Sequence, residues 1–182
     1  MTDDLSCLQA RIENLQDEWQ AQQEHMGRMQ AEMYKLRRQL SHQSSFCASL
    51  GAVLGQLVWK ASQVAIVVEK MLAGFQNKVG DFFCIVEGTL ASFLETYKGS
   101  MPGPESDERQ FLLSMCGVIT NIAAVPQGRE FLCASPNGLT LIQAILKAIP
   151  AVPLPSGREL KRYLFHMLNC FLNIELHRDN SV

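Results

Sequence analysis

Apolar residues near the start of the chain recur at Leu5, Leu8, Ile12, Leu15 and Trp19, then at Met26, Met29, Met33, Leu36 and Leu40. With Gln22 counted as the one polar member, the steps alternate three and four. That rhythm is the heptad seam of a coiled coil, with Leu5, Ile12, Trp19, Met26, Met33 and Leu40 at a, and Leu8, Leu15, Gln22, Met29 and Leu36 at d. The e positions are Gln9, Gln16, Gln23, Gln30 and Arg37. The stripe is therefore too narrow for a helix docked on a globular core and suits helix-on-helix pairing. Each seam side chain buried in such a pair contributes about 1.5–3 kcal/mol before costs. The methionines and the tryptophan pack adaptably and do not select a dimer over a higher oligomer. Glu32 at g and Arg37 at the following e form one good parallel charge pairing. Self-association and capture of a foreign helix are both open, and Gln22 either sets register or is a tolerated defect.

From Cys47 the apolar face broadens. One helix passes through Leu50, Val53, Leu54, Leu57 and Val58, followed by apolar positions at Val64, Val67, Val68, Met71, Leu72 and Phe75, with Gly74 and Gly80 near its expected end. Gly51 and Gly55 form a G-x-x-x-G pair, which in a helix of this polarity predicts close packing. The next helix carries Phe82, Phe83, Ile85, Val86, Leu90, Phe93, Leu94 and Tyr97. A loop around Pro102 and Pro104 ends it, and Ser106 or Asp107 can cap a helix bearing Phe111, Leu112, Met115, Val118, Ile119 and Ile122. Pro126 and Gly128 break that helix, and a short one around Arg129–Cys133 follows. Asn137 can cap another helix through Leu139, Ile142, Ile145, Leu146 and Ile149. After a Pro-rich loop, Ser156 and Glu159 stand at capping-box spacing before the last helix. No stretch alternates with period two between hairpin turns, so the expected fold class is all-α.

The pattern gives two domains: a coiled-coil oligomerisation helix over residues 1–45 and a helical domain over 46–182. Met115, Asn121 and Ile122 recur at the same spacing as Met167, Asn173 and Ile174, which suggests stacked helical units. The last helix carries Tyr163, Leu164, Leu168, Phe171, Leu172 and Leu176, more apolar surface than one neighbouring unit is expected to cover. Burial of that end against a second copy or a partner is the expectation.

Composition narrows the function. Sixteen basic and eighteen acidic side chains leave a net charge of −2, and the main basic cluster is Lys35, Arg37 and Arg38. No direct nucleic-acid binding is expected from so small a patch. The longest uncharged stretch, Gln39 to Trp59, is laced with Ser, His and Gln and does not read as a membrane span. The polar, acidic start predicts no secretory signal. Cys7, Cys47, Cys84, Cys116, Cys133 and Cys170 show no metal-ligand spacing and are expected to be reduced, most of them buried as small hydrophobes. His25, His42, His166 and His177 are not paired for a metal, and His166 is expected to be packed. No catalytic motif, cofactor or metal site is apparent, and the chain is expected not to be an enzyme.

The stretch from Ser106 to Leu132, with its core T-N-x-A-A…G-R-E-F-L, resembles the heat shock factor 2-binding protein family, meiotic localisers of the breast-cancer type 2 susceptibility protein. The likeness extends more weakly from Leu36 to Leu176. It implies a helical oligomerisation segment followed by an armadillo-like repeat domain, here truncated, since the family continues beyond this chain's end. It also implies binding of the susceptibility protein during meiotic recombination, with recombinases loaded downstream, in the nucleus, at chromosomes, and in the cytoplasm. Groove residues would correspond to Asn121, Arg129 and Asn173. An inner-helix asparagine can bond the backbone of an extended peptide, because its amide both donates and accepts. It can equally tie down a local loop. Arg129 can offer its planar fork to a carboxylate or carbonyl, or pair with Glu130 or Glu108. Lys161 and Arg162 are expected on a solvated face. Heat shock factor 2, met through the coiled coil, is the alternative partner, and a purely structural oligomeriser is the third possibility.

Overall fold

The computed structural model describes the backbone of residues 2–178 and the side chains of residues 5–171. Among the described residues seven helices follow one another: α1 (Thr2–Ser62), α2 (Ala65–Gly74), α3 (Gln76–Thr96), α4 (Asp107–Ala124), α5 (Pro126–Ala134), α6 (Pro136–Ala151) and α7 (Arg158–Arg178). There is no strand among the described residues, and the fold is all-α. By its internal contacts the chain divides into two units, Met1–Phe46 and Cys47–Val182.

In the first unit the chain is helical and all ten apolar residues of the heptad seam are exposed on the single chain. Gly27 faces open space.

The second unit is two three-helix layers laid one on the other. Helix α2 packs on α5, α3 on α6, and α4 on α7, so each helix meets the one three places later in the chain. That is the pairing of stacked, armadillo-like units, in which no layer covers its own apolar face. Helix α4 lies in the middle of the stack. Leu112, Leu113, Met115, Cys116, Val118, Ile119, Ile122 and Ala123 are all buried, as expected of a helix with neighbours on every side. Its small polar residues are satisfied locally: Ser114 Oγ donates to Phe111 O (2.7 Å) and Thr120 Oγ1 to Cys116 O (2.8 Å). Burial pushes the Cys116 thiol up to about 12, so it stays a neutral core group.

Proline and glycine set the sharp turns within the stack. The chain bends by 107° between α4 and α5. Pro126 opens α5 and Pro136 opens α6, each in the first turn, where the missing N–H costs nothing. Two residues after each proline comes a glycine against backbone. A Cβ on Gly128 would stand 2.0 Å from Ile122 O, and one on Gly138 would stand 2.1 Å from Leu132 O.

Several local expectations change. The stretch through Leu50–Val58 is the end of α1. Gly80 lies inside α3 rather than at a helix end, where Asn137 Nδ2 donates to its carbonyl (3.2 Å). Asn137 is thereby spent, and the α6 cap is Ser135, whose Oγ accepts from Gly138 N (3.1 Å). Ser106 does cap α4, accepting from Arg109 N. Helix α7 starts at Arg158, too late for Ser156 and Glu159 to form a capping box. Ser156 Oγ instead accepts from Met101 N (3.2 Å), and Glu159 pairs with Arg109 (3.0 Å). Only Cys116 is buried and Cys170 half-buried, whereas Cys7, Cys47, Cys84 and Cys133 are exposed, because they sit on outward helix faces. His166 is exposed for the same reason. In α7, Leu164 and Phe171 are buried and Tyr163 and Leu168 half-buried. The side chains of Leu172 and Leu176 lie outside the described residues. Among the described residues no single helix is long and apolar enough to cross a membrane.

Candidate partner-binding surface

In the second unit, the end of α1 lies beside α4. Ser49 Oγ donates to Asp107 Oδ2, Gln56 Nε2 donates to Gln110 Oε1 (3.1 Å), and Asn121 reaches Ser62. Partners rise together along both helices, so the two run parallel. The approach is close because the facing residues are small. A Cβ on Gly51 would fall 2.7 Å from the Phe111 ring, one on Gly55 would fall 2.1 Å from Ser114 Oγ, and one on Gly117 would fall 2.3 Å from the Trp59 indole. The G-x-x-x-G pair therefore serves close packing, as its polarity suggested.

At Gly117 the Trp59 ring passes across α4 and meets Tyr163 of α7 edge-on, with centroids 6.0 Å apart at 77°. Lys60 Nζ sits 5.9 Å from the Trp59 ring centroid and the Arg162 guanidinium 6.0 Å from that of Tyr163. The result is a row, Lys60–Trp59–Tyr163–Arg162, that spans α1 to α7 with a cation at each end. Trp59 and Tyr163 are half-buried, and Lys60 and Arg162 exposed. Burial raises the Tyr163 hydroxyl above its ordinary range, and the Glu159 carboxylate adds to this, so it stays a neutral hydrogen-bonding group.

The predicted residues occupy one end of α4. Asn121 Nδ2 donates to Trp59 O (3.2 Å) and to Ser62 Oγ (2.8 Å), while Ser62 Oγ donates to Trp59 O (2.9 Å). Both amide protons are thus used to finish the last turn of α1, and the amide oxygen is what Asn121 has left for a partner. Arg129 Nη1 donates to Ala123 O (3.1 Å) and Ala124 O (2.9 Å). It caps the C-terminal carbonyls of α4, where a cation also complements the helix dipole. Its charge meets these carbonyls in place of Glu130 or Glu108. It also acts on Cys170, whose thiol burial pushes up and Arg129 pulls partly back. The side chain of Asn173 lies outside the described residues. Lys161 is half-buried.

Sequence reasoning passed over Trp59 and Gly117, and took Tyr163 only as one of the apolar residues of the last helix. Each is ordinary in its own helix, and their meeting depends on which helix lies beside which. An apolar cavity of about 250 Å³ lies nearby, lined by Val58, Met71, Phe75, Val79, Phe82 and Val118 among others. Among the described residues no group of three or more His, Cys, Asp and Glu gathers as metal ligands do.

The sequence profile of the heat shock factor 2-binding protein ARM-like domain matches residues 48–174. The chain belongs to the heat shock factor 2-binding protein family. It is 32% identical over 144 residues to mouse (Mus musculus) heat shock factor 2-binding protein, an alignment that covers 78% of this chain and 42% of the relative. The chain thus spans less than half the length of that relative. The profile match starts where the small-residue face of α1 meets α4, and the longer alignment to the mouse relative extends beyond the stack.

Proposed function

We propose that this chain is a non-enzymatic adaptor that holds a segment of the breast-cancer type 2 susceptibility protein on its helical stack. On this reading it helps bring that protein and the recombinases to meiotic double-strand breaks, in the nucleus at chromosomes, with a cytoplasmic pool. The observation that carries it is the row Lys60–Trp59–Tyr163–Arg162 across parallel helices. Stacked helical units present extended surfaces to partner segments, and half-buried aromatic and arginine side chains are the residues that anchor such contacts. Two cations flanking two rings suit a segment that carries carboxylates beside apolar side chains. Asn121 Oδ1 and the charge of Arg129 extend that surface along the end of α4. The target is the one that the resemblance over Ser106–Leu132 implies.

A second reading follows from the name of the mouse relative, which says that it binds heat shock factor 2. In this reading the exposed heptads of α1 pair with a partner's heptads. The two separate by region. Purified fragments of the susceptibility protein and heat shock factor 2 are each titrated onto the full chain. The comparison variants are Tyr163→Ala with Arg162→Glu, Arg129→Ala, and Leu15→Glu with Met29→Glu. Tight binding of a susceptibility-protein fragment that falls about tenfold or more with the Tyr163/Arg162 pair and survives the seam changes supports the first reading. Because Arg129 caps α4, its variant is read against its own melting curve. Binding of heat shock factor 2 lost only with the seam changes supports the second. No binding of any susceptibility-protein fragment by folded chain contradicts the first.

A further inference from the structure

Val58 and Trp59 are successive residues near the end of α1, and Gly117 and Val118 are successive residues of α4. Successive positions of a helix point about 100° apart, so the members of each pair face different ways. Trp59 and Gly117 carry the aromatic row toward α7. Val58 and Val118 instead line the apolar cavity of about 250 Å³, which α2 and α3 close on the other side. Val79, Val118 and Ile122 lie buried at its base, and Met71 and Phe82 are half-buried beside them. Its mouth is uncovered: Val58 and Phe75 keep 40% and 64% of their surface exposed. The polar residue of the lining is Lys78, whose Nζ pairs with Asp81 Oδ2 (3.0 Å). Both of these side chains are exposed, and such a surface pair yields readily to another carboxylate.

Size and chemistry decide what the cavity can hold. A dry apolar cavity of about 150 Å³ takes a benzene molecule, and drug-sized ligands fill about 300–1,000 Å³. At about 250 Å³ this one suits a single large side chain such as phenylalanine, leucine or methionine. Water there has few polar partners, and an apolar group that displaces it gains affinity. The way from the row to the cavity is open. Leu57 and Lys60 line a shallow depression on α1 that begins at Trp59, and Val58 stands next to it at the cavity mouth. From residue 33 to residue 68 the sequence holds no Asp or Glu, so this part of α1 sets no like charge against an acidic segment that crosses it. Arg162, Lys60 and Lys78 mark such a crossing with cations.

We propose that the cavity between the end of α1 and helices α2, α3 and α4 is a second anchor for the target segment: it takes one large apolar side chain, with a neighbouring carboxylate of the segment set beside Lys78. The proposal rests on the reading that the Lys60–Trp59–Tyr163–Arg162 row binds an acidic, apolar segment, and adds a subsite on the other flank of α1. The segment lies along the row, crosses the end of α1 over Leu57 and Lys60, and seats its anchor past Val58. Met71 adapts its flexible thioether to the guest, and the exposed Phe75 ring covers it. Two anchors on opposite flanks hold the segment across the helix, and each raises the effective concentration of the other.

The test uses the full chain with carbon-13 in its methionine methyl groups, the Met71 signal being identified by its loss in Met71→Leu. Purified susceptibility-protein fragments are titrated in, and affinities are compared for the unaltered chain, Val58→Trp, which fills the mouth from an exposed position, Lys78→Glu, and the Tyr163→Ala with Arg162→Glu pair. The expected result is a Met71 shift that saturates with binding and a loss of about tenfold or more with Val58→Trp at an unchanged melting temperature. Lys78→Glu is expected to weaken binding by about two- to fivefold. Binding that falls with the Tyr163/Arg162 pair but not with Val58→Trp or Lys78→Glu, with Met71 silent, overturns the second anchor and leaves the row standing. A Met71 shift that follows the concentration of the chain alone assigns the cavity to a second copy and also overturns it. No binding of any fragment by folded chain removes the row reading and the anchor together.

Discussion

The two units of this chain spend their apolar residues in opposite ways. In the first, ten seam side chains from Leu5 to Leu40 stand exposed on the single chain; in the second, α4 alone buries Leu112, Leu113, Met115, Val118, Ile119 and Ile122. A narrow stripe every 3.5 residues can be buried only by another helix of the same kind. An apolar surface on several sides of a helix requires neighbours on several sides, and the stack supplies them by laying α2, α3 and α4 on α5, α6 and α7. The first unit leaves its apolar stripe exposed on the single chain, and the second buries most of its own. On the proposed reading the contrast also separates the kinds of partner each unit suits: a helix for the seam, and an irregular segment for the row on the stack.

Substitutions of the same type should act differently in the two units. The largest contrast is in leucine truncation. Leu164→Ala removes a fully buried side chain of the stack and should lower the stability of the second unit by about 2–5 kcal/mol in chemical denaturation. Leu15→Ala should leave that transition in place and shift the concentration at which the chain associates, read by sedimentation. Glycine gives the next contrast, with opposite signs. Gly138→Ala drives a Cβ to 2.1 Å from Leu132 O and should cost about 1–3 kcal/mol or more. Gly27→Ala meets nothing within 4 Å and should raise helicity by circular dichroism, with a gain of about 1 kcal/mol. A smaller effect is expected of Asn121→Ala. It removes two bonds to the end of α1 and should cost about 1–2 kcal/mol. Amide exchange should quicken at Trp59–Ser62 without change in α6.

What could be read from the sequence followed the same division. The helix breaks at Pro126 and the Pro-rich loop after α6, the close packing at Gly51 and Gly55, and the Ser106 cap all depend on near neighbours in the chain. The recurrence of Met115-x5-Asn121 at Met167-x5-Asn173 pointed to stacked units, and α4 and α7 are the equivalent helices. Side-chain partners distant in sequence were not legible. Asn137 was expected to cap α6 and is drawn off by Gly80 O, 57 residues away. The Ser156–Glu159 box gives way to Met101 and Arg109. Asn121 and Arg129, read as groove residues, are seen to finish α1 and α4, and the Trp59–Tyr163 contact crosses from the first helix to the last over a glycine. Such contacts depend on the order in which helices stack, which periodicity does not encode.

Hydrogen–deuterium exchange of the full chain across a range of concentrations tests the division between the units most directly. The account predicts that amides of α3, α4 and α6 are protected to the same degree at every concentration, while protection of residues 5–40 rises as the chain associates. Residues 5–40 as well protected at concentrations where sedimentation finds a monomer, or an α4 that gains protection only on association, would contradict it.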